Sequence, residues 1–240
     1  MTHTTAIILA AGVGSRLRPL TDDIPKCLVP LESETILARM VRLLTEAGVD
    51  ELVVSTGFEA TKIHGALGRS PIPVRFVHNP DYASTQNVVS LWRALAVIER
   101  GAVIKLDGDV VFDGGLLARI MVAPGDAQVL VDDAEAPPAE AMKVVTEGGF
   151  VRRFGKGLDA RAAAGESIGI ERFNEDSRGV LGAALGRAVA AGRRDVYYED
   201  VYNDLVGEGL AMACVSTQGC AWTEVDDLAD LARARTLFGA

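Results

Sequence analysis

Near its start the chain carries a short apolar run, Ala6 to Leu9, with no polar alternation, that stops at a glycine-bearing loop; this is the pattern of a strand buried on both faces. Beyond the loop, Ile36, Leu37, Met40, Val41, Leu44 and Ala47 recur at helical spacing, and Gly48 is placed to end that helix. ELVVSTG (51–57) predicts a second buried strand, EATKIHGALG a short helix closing at Gly68, and PVRFVHN (73–79) a third strand. Asn87 to Glu99 predicts a helix with Val88, Leu91, Leu95 and Ile98 inward. AVIKLDGDVVF (102–112) then predicts one strand running into two aspartates, and AQVLVDD (127–133) another.

Strands alternating with helices predict an α/β fold: a doubly wound, mostly parallel, Rossmann-like mixed sheet with helices on both faces. Ligands in such sheets lie outside the carboxyl ends of the strands, so the loops after Leu9, Gly57, Asn79 and Leu106 are expected on one rim. From Ala134 the texture changes. APPAEA reads as a turn, MKVVTEGGFVRRFGKG as a hairpin around Gly148 and Gly149, and ESIGIERF (166–173) as a strand. Helices follow near 175–191 and 198–207, then a strand at AMACVST (211–217), a short apolar stretch from Cys220 to Val225 and a helix from Asp227. With no repeat and no flexible linker, the expectation is one domain over 1–240, made of two halves, 1–133 and 134–240.

Composition narrows the function. The 240 residues are 49% hydrophobic and 24% charged, which removes disordered and fibrous classes, and the net charge of −9 argues against nucleic-acid or anionic-membrane partners. The apolar run near the N-terminus is too short for a leader or a membrane span, so a soluble cytoplasmic protein, monomer or homodimer, is expected. The three cysteines, Cys27, Cys214 and Cys220, have no CxxC spacing, which fits a reducing compartment, although Cys214 and Cys220 could meet across a hairpin. His3, His64 and His78 show no zinc-binding spacing.

In an acidic chain, a loop that gathers cations stands out. Gly12-Val13-Gly14-Ser15-Arg16-Leu17 starts like a dinucleotide fingerprint, but Leu17 stands where the third glycine belongs, and the second strand ends in Ser55-Thr56-Gly57 without an acidic ribose ligand. No Walker GK[ST] follows either. Glycines that let backbone N–H groups approach phosphate, beside Arg16, Arg18 and Lys26, nevertheless suit a polyanion.

LAAGVGSRLRPLTDDIPKCLVP (9–30) resembles the signature of the NDP-sugar pyrophosphorylase type of nucleotidyltransferase. LDGDVVF resembles that family's metal-binding aspartate segment and TEVDDLADLARA its late metal-ligand segment. The resemblance implies transfer of a nucleotidyl group from a nucleoside triphosphate to a phosphorylated acceptor, with release of pyrophosphate. It implies catalytic roles for Arg16, at the β and γ phosphates, and Lys26, at the α-phosphate. Leu9, Ala10, Ala11, Gly12, Gly14, Ser15, Gly57, Asn79, Asn87 and Ser90 are the expected nucleotide-binding set. Mg²⁺ is the implied cofactor, with Asp109 and Asp226 as its ligands and Asp107 as a secondary one. Asp107 and Asp109 stand two apart, which in an extended chain points both to one side. Each has a plainer reading: Asp226 as a helix N-cap and Asp109 as a turn residue.

NPDYASTQNVVSLWRAL (79–95) departs from the sugar branch and looks more like the small bacterial cytidylyltransferases acting on phosphocholine and related phosphorylated compounds. CTP is the favoured nucleotide. Lys143, Tyr197, Glu199 and Asp200 are the expected acceptor-binding residues. Lys143 in place of an aromatic argues for a phosphate, phosphonate or carboxylate on the acceptor and against a quaternary ammonium. A sugar-1-phosphate thymidylyl- or uridylyltransferase, and a noncatalytic nucleotide-binding regulatory domain, remain as alternatives.

Overall fold

A computed structural model describes residues 3–239. In chain order the elements are β1 (Thr4–Ala10), α1 (Ile36–Glu46), β2 (Glu51–Thr56), α2 (Ala60–Ala66), β3 (Val74–His78), α3 (Asn87–Leu95), β4 (Ala102–Asp107), β5 (Val110–Phe112) and α4 (Gly115–Val122). There follow β6 (Ala127–Asp132), β7 (Lys143–Glu147), β8 (Phe150–Gly155), β9 (Gly165–Phe173), α5 (Glu175–Ala190), α6 (Tyr198–Gly207), β10 (Met212–Ser216), β11 (Trp222–Glu224) and α7 (Leu228–Phe238). Two 3₁₀ turns, Ser15–Leu17 and Lys26–Leu28, lie between β1 and α1.

Nine strands form one sheet in the order β3-β2-β1-β4-β9-β6-β10-β8-β7. β1 runs parallel to β2 and β4, and β2 to β3, as the alternating pattern predicts. β9 enters antiparallel between β4 and β6, so the sheet takes strands from both sides of residue 133. The continuous apolar runs follow from burial on both faces. On β1, Ile7 packs into the core under α3, α5 and α6, whereas Ala6 and Ile8 face the core under α1 and α4. A third cluster joins Leu17, Val29, Ile36 and Val225 with Leu231 and Ala234 of α7, and so fastens the last helix to the first loop.

Four local expectations need correction. Residues 102–112 are two strands, because Gly108 turns the chain over the end of β1. Its N–H donates to the Leu9 carbonyl at 3.0 Å, and a Cβ there would stand 2.5 Å from that oxygen. β5 then leaves the main sheet to pair with β11. Helix α4 had no predicted counterpart, and α3 ends at Leu95, although Ile98 beyond it is buried as expected. Asp227 caps α7 by accepting from Ala229 and Asp230 N–H, which releases Asp226 from that duty. All three cysteines are free thiols.

Candidate active site

The loop after β1 is shaped by Gly14. Its φ of +65° lies in the left-handed region, and a Cβ would meet Lys26 Cβ at 2.9 Å, so glycine permits both the turn and the approach of the lysine stem. The turn is held by Thr21 Oγ1 donating to the Gly14 carbonyl at 2.7 Å and by Leu17, which is fully buried. Leu9, Ala10, Gly12, Gly14, Ser15, Arg16 and Lys26 line one cleft of about 370 Å³, with Asp109 and Asp226 across from them.

Opposite charges interlock there. Lys26 Nζ donates to Asp109 Oδ2 and to Asp226 Oδ1, both at 2.6 Å, and Arg16 Nη2 reaches Asp226 Oδ2 at 2.7 Å. Burial opposes the charge on Lys26, but the two carboxylates overcome it and hold the ammonium well above the ordinary lysine value. Burial likewise opposes ionisation of Asp226, and Lys26 and Arg16 hold it below the usual carboxylate range. Asp109, Asp226 and Glu224 each offer an oxygen, all within 4.8 Å of one another. Desolvation in the cleft and the charges of Asp109 and Asp226 push Glu224 up to about 8. Asp109 Oδ1 is buried with no hydrogen-bond partner among the described residues. Three convergent carboxylates and an orphaned oxygen are a donor set that fits a hard divalent cation.

The expected nucleotide residues divide. Asn79 and Ser90 are buried away from the cleft: Asn79 Nδ2 donates to Ser90 Oγ at 3.1 Å and to Thr85 Oγ1 at 3.3 Å, bracing the loop that brings Gln86 to the cleft wall. Gly57 and Ala11 lie behind the glycine loop. A Cβ on Gly57 would stand 2.6 Å from the Ala11 carbonyl, which accepts the Phe58 N–H. Asn87 lines the neighbouring cavity instead, where its Oδ1 accepts the Tyr198 N–H at 3.0 Å. Asp107 diverges from Asp109, since the turn at Gly108 breaks the extended alternation; its carboxylate meets Lys105 and Tyr198.

The second cavity, about 120 Å³, lies between β9, the start of α6 and β11 and opens toward a wider one of about 1000 Å³ that reaches Arg16 and Asp226. Tyr197 and Glu199, expected from the sequence to bind an acceptor, line it. Asp200 does not; it caps α6 by accepting the Tyr197 N–H at 3.1 Å. Lys143 is 3% exposed, and its ammonium donates to the carbonyls of Ala139 and Lys156 at 2.7 and 2.6 Å, so it ties the segment before β7 to the turn after β8. Glu140, Glu166, Glu224, Trp222 and Lys156, none of them singled out from sequence, complete the wall. Glu199 is 7% exposed, its Oε2 has no hydrogen-bond partner, and burial pushes its carboxyl up to about 8 against the pull of Lys105.

Residues 6–168 match the MobA-like NTP transferase domain family. The chain is 31% identical over 235 residues to the bifunctional IPC transferase and DIPP synthase of Rubrobacter xylanophilus, covering 94% of this chain and 50% of that protein. It is 26% identical over 231 residues to the 2-aminoethylphosphonate cytidylyltransferase of Lancefieldella rimae, covering 95% and 91%. With the CMP-5'-(3-aminopropyl)phosphonate synthase of Streptomyces rubellomurinus it shares 30% over 245 residues, covering 97% and 38%. The chain thus spans half or less of two of these relatives. Its fold is that of the CTP:phosphocholine cytidylyltransferase from Streptococcus pneumoniae (TM-score 0.78, 20% identity, 98% and 99% of the two chains). It also matches the inositol-1-phosphate CTP transferase from T. maritima (TM-score 0.81, 21% identity, 98% and 96%). With a glycine loop, two cations and three carboxylates gathered on the rim of such a sheet, the chain belongs to the MobA-like NTP transferase family and carries a nucleotidyltransferase domain.

Proposed function

We propose that this chain transfers a cytidylyl group from CTP to a small acceptor carrying both a phosphate or phosphonate and an ammonium group. The acceptor oxygen attacks the α-phosphorus; the new P–O bond forms as the bond to the bridging oxygen breaks, and pyrophosphate leaves with that electron pair. The observation that carries this reading is the array in which Lys26 touches both Asp109 and Asp226 at 2.6 Å beside the glycine loop. Such transfer depends on positioning and charge neutralisation and needs no side-chain nucleophile. The Gly12–Gly14 backbone and Arg16 receive the triphosphate, and Lys26 faces the α-phosphate and the incoming oxygen. Asp109, Asp226 and Glu224 would hold Mg²⁺, which supplies charge neutralisation to the phosphates.

Cytidine is supported by the relatives whose names specify CTP or CMP chemistry and by the NPDY and NVVSLW segments. The ammonium is supported by the acidic lining of the second cavity, whose raised carboxyl groups a bound cation would help to ionise. Asp107, Glu140, Glu166, Glu199 and Glu224 line it against Lys156, and a buried carboxylate oxygen on Glu199 lacks a partner. Tyr197 and Trp222 stand on the same wall, and the Lys156 ammonium lies 5.1 Å from the centre of the Tyr197 ring, so a cation already rests on one of these aromatics.

A pyrophosphate-release assay tests both parts by crossing four nucleoside triphosphates with 2-aminoethylphosphonate, phosphocholine, inositol 1-phosphate and glucose 1-phosphate. CTP with an amine-bearing acceptor is the expected pair. Preference for dTTP or UTP with glucose 1-phosphate overturns the reading in favour of a sugar nucleotidyltransferase, and absence of release with every pair overturns catalysis altogether.

A further inference from the structure

Lys105 sits in the middle of β4, between the fully buried Ile104 and Leu106, and is itself 1% exposed. A strand position of this kind ordinarily takes an apolar residue, and a buried ammonium is costly unless closely paired. Here it is paired on every side. Its Nζ lies 3.1 Å from Asp107 Oδ1 and 3.0 Å from Glu171 Oε2, donates to the Gly169 carbonyl at 3.4 Å, and rests 3.6 Å from the centre of the Tyr198 ring.

Two consequences reach the active site. Asp107 is fully engaged, because its second oxygen, Oδ2, accepts from Tyr198 Oη at 2.6 Å. It is two residues from Asp109 yet contributes nothing to the Asp109–Glu224–Asp226 group. Gly169 makes this possible: its φ of +73° lies in the left-handed region, and a Cβ there would stand 2.5 Å from Asp107 Oδ2. The first turn of α6, for its part, is pinned twice through one residue, by Tyr198 Oη to Asp107 on β4 and by Tyr198 N–H to Asn87 Oδ1 on α3. Tyr197 and Glu199, which line the acceptor cavity, flank that pinned residue.

We propose that Lys105 is a positioning residue. By drawing Asp107 inward and seating Tyr198, it keeps Asp107 out of the divalent-cation group and fixes the angle at which α6 presents Tyr197 and Glu199 to the acceptor. The loop bearing Asp109 and the helix bearing Glu199 are thereby set by one buried ammonium. This inference rests on the acceptor cavity assigned under the proposed function.

Two variants test it. Tyr198→Phe keeps the ring under Lys105 and removes only the hydrogen bond to Asp107. Lys105→Met combined with Glu171→Gln removes the cation together with one anion at similar volume, which leaves the net charge of the cluster unchanged. Each is assayed with CTP and whichever of the four acceptors above releases pyrophosphate fastest from the unaltered protein. Tyr198→Phe is expected to raise the acceptor KM about tenfold, the equivalent of one lost charged hydrogen bond, while the CTP KM stays within about twofold. The double variant is expected to show the same split. A general loosening of the fold would instead raise both KM values together or lower kcat alone, and either outcome overturns the proposal, as does an unchanged acceptor KM.

Hydrogen exchange gives a readout independent of turnover. Tyr198→Phe should speed exchange of the amides at 197–201 and leave those of α3 unchanged; unaltered exchange at 197–201 overturns the proposal. If the unaltered protein releases pyrophosphate with no pair, the functional reading fails and the exchange measurement alone decides the role of Lys105.

Discussion

Lys26 and Asp226, 200 residues apart in the chain, meet at 2.6 Å, and the same ammonium touches Asp109 at the same distance. The groups that would receive a triphosphate and those that would hold a divalent cation are therefore already in contact with one another. A triphosphate and a divalent cation binding here would have to exchange into this array, each taking partners that now neutralise each other. Lys26→Ala should lower kcat by about 100- to 1000-fold, as for removal of one charge-stabilising group at a reacting centre. Steady-state pyrophosphate release checks this, and recovery of full activity by Lys26→Ala would remove Lys26 from the reaction.

The carboxylates should separate by role. Asp109→Asn and Asp226→Asn are each expected to cut the Mg²⁺-supported rate by about 100-fold or more. Glu224→Gln, which alters the exposed member of the group, should mainly weaken apparent Mg²⁺ affinity, by about tenfold. Initial rates across a Mg²⁺ titration, with a chelator control on the unaltered protein, distinguish the two patterns.

Gly14→Ala places a Cβ against Lys26 in a left-handed backbone. A stability loss of about 1 kcal/mol is expected from the backbone alone. The larger effect should be a rise in the CTP KM, because Lys26 must move. Thermal melting measured beside CTP kinetics tests this; a stability loss with unchanged KM would place the loop away from the nucleotide.

Stability should fall with rising pH through two buried acids, Glu171 and Glu199. Burial raises Glu199 to about 8 and Glu171 to about 7, against an ordinary value of 4.5. Both are protonated in either state below about 4.5. Between there and about 8 the unfolded chain gives up protons that the native protein keeps, so unfolding gains favour as pH rises. Glu199→Gln should flatten this slope and stabilise the ligand-free protein at pH 8 by on the order of 1–3 kcal/mol. Melting temperatures at pH 5 and pH 8 read it directly; an equal slope in the variant would refute the assignment.

Lys143→Met provides a contrast. Losing its bonds to the Ala139 and Lys156 carbonyls should cost about 2 kcal/mol, or roughly 4–8 °C in melting temperature, with the acceptor KM unmoved. A selective rise in that KM would return Lys143 to the acceptor site.

What the sequence disclosed follows from how locally each signal is encoded. The parallel strands were legible because burial on both faces leaves an unbroken apolar run, and the glycine loop because gathered cations are unusual in a chain of net charge −9. Arg16, Lys26, Asp109 and Asp226 do converge, across 200 residues, where the quoted motifs implied. Lys143 misled because a lysine in a strand looks free until the carbonyls around it are known. Asn79 and Ser90 misled because a polar residue at a strand end can brace a loop as readily as touch a ligand. Glu224 could have been found: in TEVDD it alternates with Asp226, and an extended chain places both on one side. Lys105 could not: Asp107 lies on its own strand, but Glu171, Gly169 and Tyr198 come from β9 and α6, and no spacing along the chain announces them.

The placement of β9 between β4 and β6 has a cost for any shorter version of this chain. A fragment stopping at residue 133 would leave those two strands with open edges facing each other across a missing neighbour, an invitation to pair with other copies and precipitate. Variation within this scaffold must therefore come through its loops and cavity walls, because residues 134–240 are woven into the sheet by β9 and cannot be exchanged as a module.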